Sequence, residues 1–161
     1  MRRLLREHDA SSAPACAALK NWLLAHPALR TIAIYSPLPG EVDLSAIIRA
    51  RLDLTWVYPK IVGHHLTFHS GHDLRPGPFN LLEPAAGSPE ISLQQIDAFI
   101  CPGLAFDKQG GRLGRGRGFY DRLLAQARPD SLKIGICFPE QLVADTFSEA
   151  HDIPMDEIIH S

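Results

Sequence analysis

AFICPGLAFDKQGGRLGRGRGFYDRLL, residues 98–124, decides the fold class. Its first part, AFICPGLAF (98–106), is a continuous apolar run of the kind found in a central strand of a parallel sheet. Its last part opens FYDRLLAQA (119–127), which reads as a helix, and five glycines lie between the two. A strand, a glycine-rich turn and a helix in succession make a βα unit. Working outward, KIGICF (133–138) reads as another buried strand, PEQLVADTF (139–147) as a short helix, and MDEIIH near the end as a last strand. On the other side, residues 13–25 place Leu19, Trp22, Leu23 and Leu24 at helical spacing, and Pro27 stops them. TIAIYSPL (31–38), TWVYPKIV (55–62) and LTFHS (66–70) are strand-like, with a helix, LSAIIRARL, capped by Asp43 or Ser45 between the first two. A helical turn is expected near Ser92. The reading is α/β: a mainly parallel central sheet flanked by helices.

The 161 residues fit one domain spanning 1–161. With 45% hydrophobic residues and a formal net charge of −2, the chain is neither a disordered tail nor a general polyanion binder. No apolar run approaches a membrane span, and Arg6, His8 and Asp9 interrupt any leader-like core at the N-terminus. Cys16, Cys101 and Cys137 are odd in number and far apart, which argues against a disulfide framework. A cytoplasmic protein is expected. The polar, Pro- and Gly-rich stretch 71–90 reads as a long loop, a length usually functional or mobile.

The chemistry concentrates in residues 102–124. Ligands in open α/β sheets bind at the carboxyl ends of strands. Gly110, Gly111, Gly114, Gly116 and Gly118 allow backbone N–H groups to form a concavity for phosphate oxygens. Arg112, Arg115 and Arg117 add forked donors, and Asp121 a hard oxygen suited to Mg²⁺ on a polyphosphate. The loop matches neither the GxxxxGK[ST] phosphate loop nor the GxGxxG dinucleotide fingerprint, because Phe119 stands where the third glycine would be. A solvated loop and a single-strand nucleic-acid contact through RGRG, Phe119 and Tyr120 are the competing readings. The chain's overall acidity argues against the latter.

Elsewhere, PLPGEVDL (37–44) sets Glu41 and Asp43 after the first strand; Asp43 suits a helix cap, and Glu41 is open. His64, His65, His69 and His72 lack zinc-helix spacing and are read as strand and loop histidines. Cys101 and Cys137 fall inside apolar strands, and no GxSxG elbow exists, so covalent catalysis by the protein is not expected.

The chain resembles the 5-formyltetrahydrofolate cyclo-ligases (5,10-methenyltetrahydrofolate synthetases) from about Ile32 to Ile159. PGLAFDKQGGRLGRGRGFYD carries most of the likeness, supported in order by IAIYSPLPGEVD, FNLLEP, KIGICFPEQLV and HDIPMDEII. The resemblance implies a fold related to the sugar-isomerase and CoA-transferase-like group. It also implies ATP- and Mg²⁺-dependent cyclisation of 5-formyltetrahydrofolate to 5,10-methenyltetrahydrofolate, with ADP and phosphate released. A non-catalytic folate- or nucleotide-binding paralogue is the alternative. No nucleic-acid or membrane partner is implied.

Carried over residue by residue, the likeness assigns Arg112, Gly114, Gly116, Gly118 and Phe119 to ATP. Arg115, Arg117 and Tyr120 fall between phosphate and folate as catalytic groups, with Arg115 and Tyr120 also touching substrate. Glu41 and Phe79 fall to the pterin, and Asp121 and Asp152 to Mg²⁺. Arg2 and Arg6 share the spacing of a family Lys and Arg that reach the nucleotide. An alignment by length instead sets MRRLLREHDASS on a later part of that helix. The family usually has two tyrosines before the Asp; here Phe119 precedes Tyr120, so one hydroxyl is missing.

Overall fold

Pro14, in the first turn, starts helix α1, Ala13–Leu24, which buries Ala15, Cys16, Leu19, Trp22 and Leu23. Proline suits that position because its missing N–H would be unpaired there anyway. The structure, a computed structural model, describes residues 11–161; Arg2 and Arg6 lie outside the described residues. After α1 come β1 (Thr31–Ala33), α2 (Ser45–Ala50), β2 (Thr55–Val62) and β3 (His65–Ser70). Three short strands follow, β4 (Leu74–Pro76), β5 (Leu82–Pro84) and β6 (Glu90–Ile91). The chain continues through β7 (Ala98–Cys101), β8 (Ala105–Phe106), β9 (Arg112–Leu113) and α3 (Phe119–Leu124), and ends with β10 (Leu132–Ile136) and β11 (Glu157–Ile159).

The main sheet runs β11-β10-β7-β1-β2-β3-β6. Neighbours from β11 to β2 are parallel; β3 and β6 are added antiparallel at one edge. Alternation along each strand divides the core into two layers. Ile32, Ile34, Trp56, Ile100, Ile134 and Ile136 pack with α1 and α2. Ala33, Val57, Phe99, Cys101 and Cys137 pack on the opposite face with Phe68, Phe106, Leu123 and Leu124. Successive strand side chains point to opposite faces, so these two sets are what a sheet covered on both sides requires. Burying a Leu such as Leu19, fully enclosed here, contributes about 2 kcal/mol.

The α/β reading holds, with differences in detail. The 98–106 run is not one strand: β7 ends at Cys101, and β8 pairs antiparallel with β9 in a separate hairpin. Pro102 has no N–H to extend the ladder. The 71–90 stretch contains the β4–β5 pair rather than only loop. In PEQLVADTF only Pro139–Gln141 form a helical turn. The N-cap of α2 is Leu44, not Asp43 or Ser45, and no side chain caps the helix; Asp43, one residue earlier, instead closes a local turn, its Oδ1 accepting from the Ser45 N–H at 2.9 Å and from its hydroxyl. Near Ser92 the turn is a capping box with Gln95. Among the described residues no helix is long and apolar enough to cross a membrane.

Candidate active site

β1 and β7 lie side by side and parallel, so the loops that leave their carboxyl ends are neighbours. The loop after β1 carries Glu41, and the segment after β7 carries the glycine-rich loop. Between them, Arg115 donates to Glu41 Oε1 from Nη2 at 3.0 Å and from Nε at 3.2 Å. The other carboxylate oxygen, Oε2, accepts from the Leu38 N–H at 2.9 Å, which ties the side chain to its own turn. The Glu41 side chain is 6% exposed and that of Arg115 32%. Burial pushes the Glu41 carboxyl above the ordinary carboxylate value; the Leu38 amide and Arg115 pull it back only in part.

Arg117, two residues on, lies over the Phe79 ring with its guanidinium carbon 3.5 Å from the centroid. Phe79 and Asn80 both have positive φ, 59° and 60°, so this aromatic is presented by a strained turn. The loop itself has Gly116 at φ 87° and Gly118 at φ 68°, conformations that side chains rarely adopt.

Arg112 projects elsewhere. Its Nη1 donates to the Pro102 carbonyl at 3.0 Å, and its guanidinium carbon sits 5.0 Å from the Tyr120 ring centroid. Its Nε is buried without a partner among the described residues. Burial pushes the Tyr120 phenol far above its ordinary value, with Cys101 and Glu41 adding and Arg112 opposing. Tyr120 is therefore a neutral hydroxyl donor across the physiological range. Cys101 and Cys137 are each pushed up to about 12, with burial the leading cause, which suits inert core thiols.

Asp121, in the first turn of α3, accepts from the Ile153 N–H through Oδ1 at 3.2 Å. Asp152 is next to Ile153, and its Oδ2 accepts from the Glu149 N–H at 2.7 Å. Among the described residues no three His, Cys, Asp or Glu side chains form a metal-binding group. Mg²⁺ on a polyphosphate usually takes only one or two protein carboxylates, so Asp121, with Oδ2 unpartnered among the described residues, fits that requirement. Asp152 is committed to its own turn. A cleft of about 330 Å³ lies between the turn at Asp107 and the 144–154 segment, with Gly111, Asp145 and Asp152 in its wall.

The sequence matches the 5-formyltetrahydrofolate cyclo-ligase family over residues 3–161. The chain belongs to that family, which is one of enzymes. It is 31% identical to a 5-formyltetrahydrofolate cyclo-ligase of Mycoplasma pneumoniae over 86% of this chain and 77% of that protein. The corresponding enzyme of Mycolicibacterium smegmatis is 32% identical over 88% of this chain and 79% of its own. Among solved structures, the 5,10-methenyltetrahydrofolate synthetase of Aquifex aeolicus superposes with a TM-score of 0.80 at 31% identity, covering 92% of this chain and 77% of that one. The Mycoplasma pneumoniae synthetase gives a TM-score of 0.76 at 27% identity, covering 92% and 84%.

Within this cyclo-ligase fold, the residues singled out from sequence fall into contacting sets. Arg115 meets Glu41, Arg117 meets Phe79, and Arg112 meets Tyr120. Phe119 starts α3 behind the glycine loop, under Arg122. Two residues escaped notice in the sequence. Asp107, buried in the β8–β9 hairpin, accepts from the N–H groups of Gln109, Gly111 and Thr146 and from the Thr146 hydroxyl. An Asp two and four residues before the donors it caps is a turn signature that DKQGG carried. Arg122 bonds the loop backbone and had no signal beyond its place in the turn after the glycines.

Proposed function

We propose that this chain cyclises 5-formyltetrahydrofolate to 5,10-methenyltetrahydrofolate at the expense of ATP, and that it does so in the cytoplasm, where three free cysteines stay reduced. One observation carries the reading beyond family membership. The two arginines of the glycine loop reach the two residues assigned to folate, Arg115 to Glu41 and Arg117 to Phe79. A loop suited to phosphate and a wall suited to pterin are thereby one site.

The reaction needs such a junction. A formamide oxygen is a poor leaving group. In the proposed course it attacks the γ-phosphorus, and ADP leaves with the electron pair of the broken P–O bond. The neighbouring folate amine then attacks the formyl carbon and loses its proton. Phosphate departs with the C–O electrons, which leaves the methenyl bridge. The protein positions and neutralises. Gly114, Gly116 and Gly118 present backbone N–H groups to the phosphates, with Arg112 behind them. Arg115 and Arg117 stabilise charge on the transferring group, and the neutral Tyr120 hydroxyl donates to an oxygen there. Glu41 accepts from pterin N–H groups, and Phe79 stacks on the ring. Asp121 would hold Mg²⁺, with Asp152 assisting through the adjacent turn; the ion supplies charge neutralisation on the phosphates.

The test is absorbance at the near-ultraviolet band of methenyltetrahydrofolate, with MgATP present or omitted and ADP measured in parallel. An ATP-dependent rise with equimolar ADP is expected, and Asp121→Asn should raise the Mg²⁺ concentration needed for half-maximal rate. A flat trace from folded protein that still binds folate would turn the reading to the non-catalytic paralogue.

A further inference from the structure

We infer that Arg122 is a positioning residue that holds the glycine loop in its working shape. The inference rests on the function proposed above but concerns a side chain with no assigned role, whose hydrogen bonds go to backbone carbonyls. Arg122 Nη1 donates to the Arg117 carbonyl at 3.0 Å, and Nη2 donates to the His64 carbonyl in the turn between β2 and β3. Its guanidinium carbon lies 5.4 Å from the Phe119 ring centroid. One planar fork therefore ties the loop to a hairpin whose His64 lies 58 residues before Arg122, while packing on the first residue of α3.

Three consequences follow from where the fork attaches. A trans peptide sets its C=O and N–H on opposite sides, so fixing the Arg117 carbonyl also fixes the direction of the Gly118 N–H. The same carbonyl anchors the backbone that bears the Arg117 side chain, and so helps aim that guanidinium at Phe79. Last, a Cβ on Gly118 would lie 2.8 Å from Arg122 Nη1, so the absence of a side chain at 118 leaves room for the fork as well as permitting positive φ. Unaided, the chain at Gly116–Gly118 is free to sample many conformations, because glycine restricts φ and ψ least. Arg122 removes that freedom before ATP arrives, and less of the binding free energy is lost to ordering.

The test compares wild type, Arg122→Ala and Arg122→Lys in the cyclisation assay and, separately, in limited trypsinolysis without ligands. Arg122→Ala should lower kcat/KM for MgATP about tenfold, the size expected from losing a charge-assisted hydrogen bond. Arg122→Lys should recover part of the loss, since an ammonium reaches one carbonyl but not two in a fork. Cleavage after Arg115 and Arg117 should be severalfold faster in Arg122→Ala, at a temperature well below its melting point, and slower again in Arg122→Lys. If wild type is active and both kinetics and cleavage are unchanged by Arg122→Ala, the assignment is overturned. If Arg122→Ala only lowers the melting temperature, the residue is merely structural and the assignment is again overturned. An inactive wild type overturns the proposed function instead, and the trypsin arm alone then decides whether Arg122 orders the loop.

Discussion

Glu41 and Arg115 stand 74 residues apart in the chain, yet Arg115 Nη2 is 3.0 Å from Glu41 Oε1. The contact joins the loop after β1 to the loop after β7, and it exists because those strands are sheet neighbours. The Arg115 side chain keeps 32% of its surface exposed while that of Glu41 keeps 6%, so the carboxylate depends on the guanidinium more than the reverse.

This asymmetry predicts a pH-dependent effect on stability. Burial raises the folded-state value of Glu41 above its unfolded one. A group shifted in that sense favours the folded state most below its unfolded value, and that contribution is lost as pH rises through the folded one. Arg115→Ala removes a group that opposes the shift, so the loss at alkaline pH deepens. The variant should be destabilised by about 2 kcal/mol near pH 8 and by clearly less near pH 5. Glu41→Gln should stay within about 1 kcal/mol of wild type at pH 8, because the neutral amide avoids the burial cost of the carboxylate and Arg115, about a third exposed, stays partly hydrated. Thermal melts at the two pH values decide it; an equal loss for Arg115→Ala at both would show that Glu41 is not the group responsible.

Phe79 is held at φ 59° with its side chain half exposed and covered by Arg117. An aromatic residue in the left-handed region costs roughly 1–2 kcal/mol, whereas Asn tolerates it. Phe79→Asn should therefore keep the melting temperature or raise it slightly. It should also raise KM for 5-formyltetrahydrofolate about tenfold through loss of a stacking face. Steady-state kinetics beside a melting curve separate the two effects, and a large drop in stability with KM unmoved would make Phe79 a core residue.

Much of this arrangement was legible in the chain. β2 occupies 55–62 as read, because its β-branched and aromatic residues are bounded by turn signals, and α1 ends where Pro27 approaches. The 98–106 run misled because apolar composition cannot distinguish one long strand from a strand followed by a buried hairpin; Phe106 is apolar because it fills the core beneath Gly135, not because it extends β7. The helix expected over 139–147 fails for a long-range reason. Val143 N–H bonds to the Phe106 carbonyl and Thr146 N–H to Asp107, partners that no local propensity contains. The glycine-rich loop itself pointed to Arg115 and Arg117, whereas Glu41 was left open by its residues and Phe79 came only with the family resemblance; who meets whom depends on sheet order, and Arg122 acts through backbone carbonyls that leave no trace in sequence.

Gly116 and Gly118 give a paired prediction. Both have positive φ, so alanine at either costs about 1–2 kcal/mol of local strain. A Cβ on Gly116 meets open space, whereas one on Gly118 meets the Arg122 guanidinium. Gly118→Ala should thus lose more activity than Gly116→Ala at similar stability, and it should resemble Arg122→Ala in its KM for MgATP. Parallel kinetics on the three variants test this; equal activity losses from the two glycine substitutions would contradict it.

Asp107 is the structural counterpart of these loop residues, since its carboxylate closes the β8–β9 hairpin from which the glycine loop emerges. Burial opposes its charge, yet donors from Thr146, Gly111 and Gln109 outweigh that and hold the carboxyl below the ordinary Asp value. A depressed group contributes stability above its unfolded value and loses it as pH falls through the folded one. Asp107→Asn keeps the shape but swaps an acceptor oxygen for a donor NH₂, which cannot face an N–H. The substitution should cost about 2 kcal/mol near neutral pH. Below about pH 4, where the carboxyl of the unfolded chain takes up its proton, wild type loses that contribution and the gap between the two proteins should narrow. Chemical denaturation at pH 7 and at about pH 3.5 measures both gaps, and a difference independent of pH would mean that hairpin geometry, not the Asp107 charge, holds the loop's base.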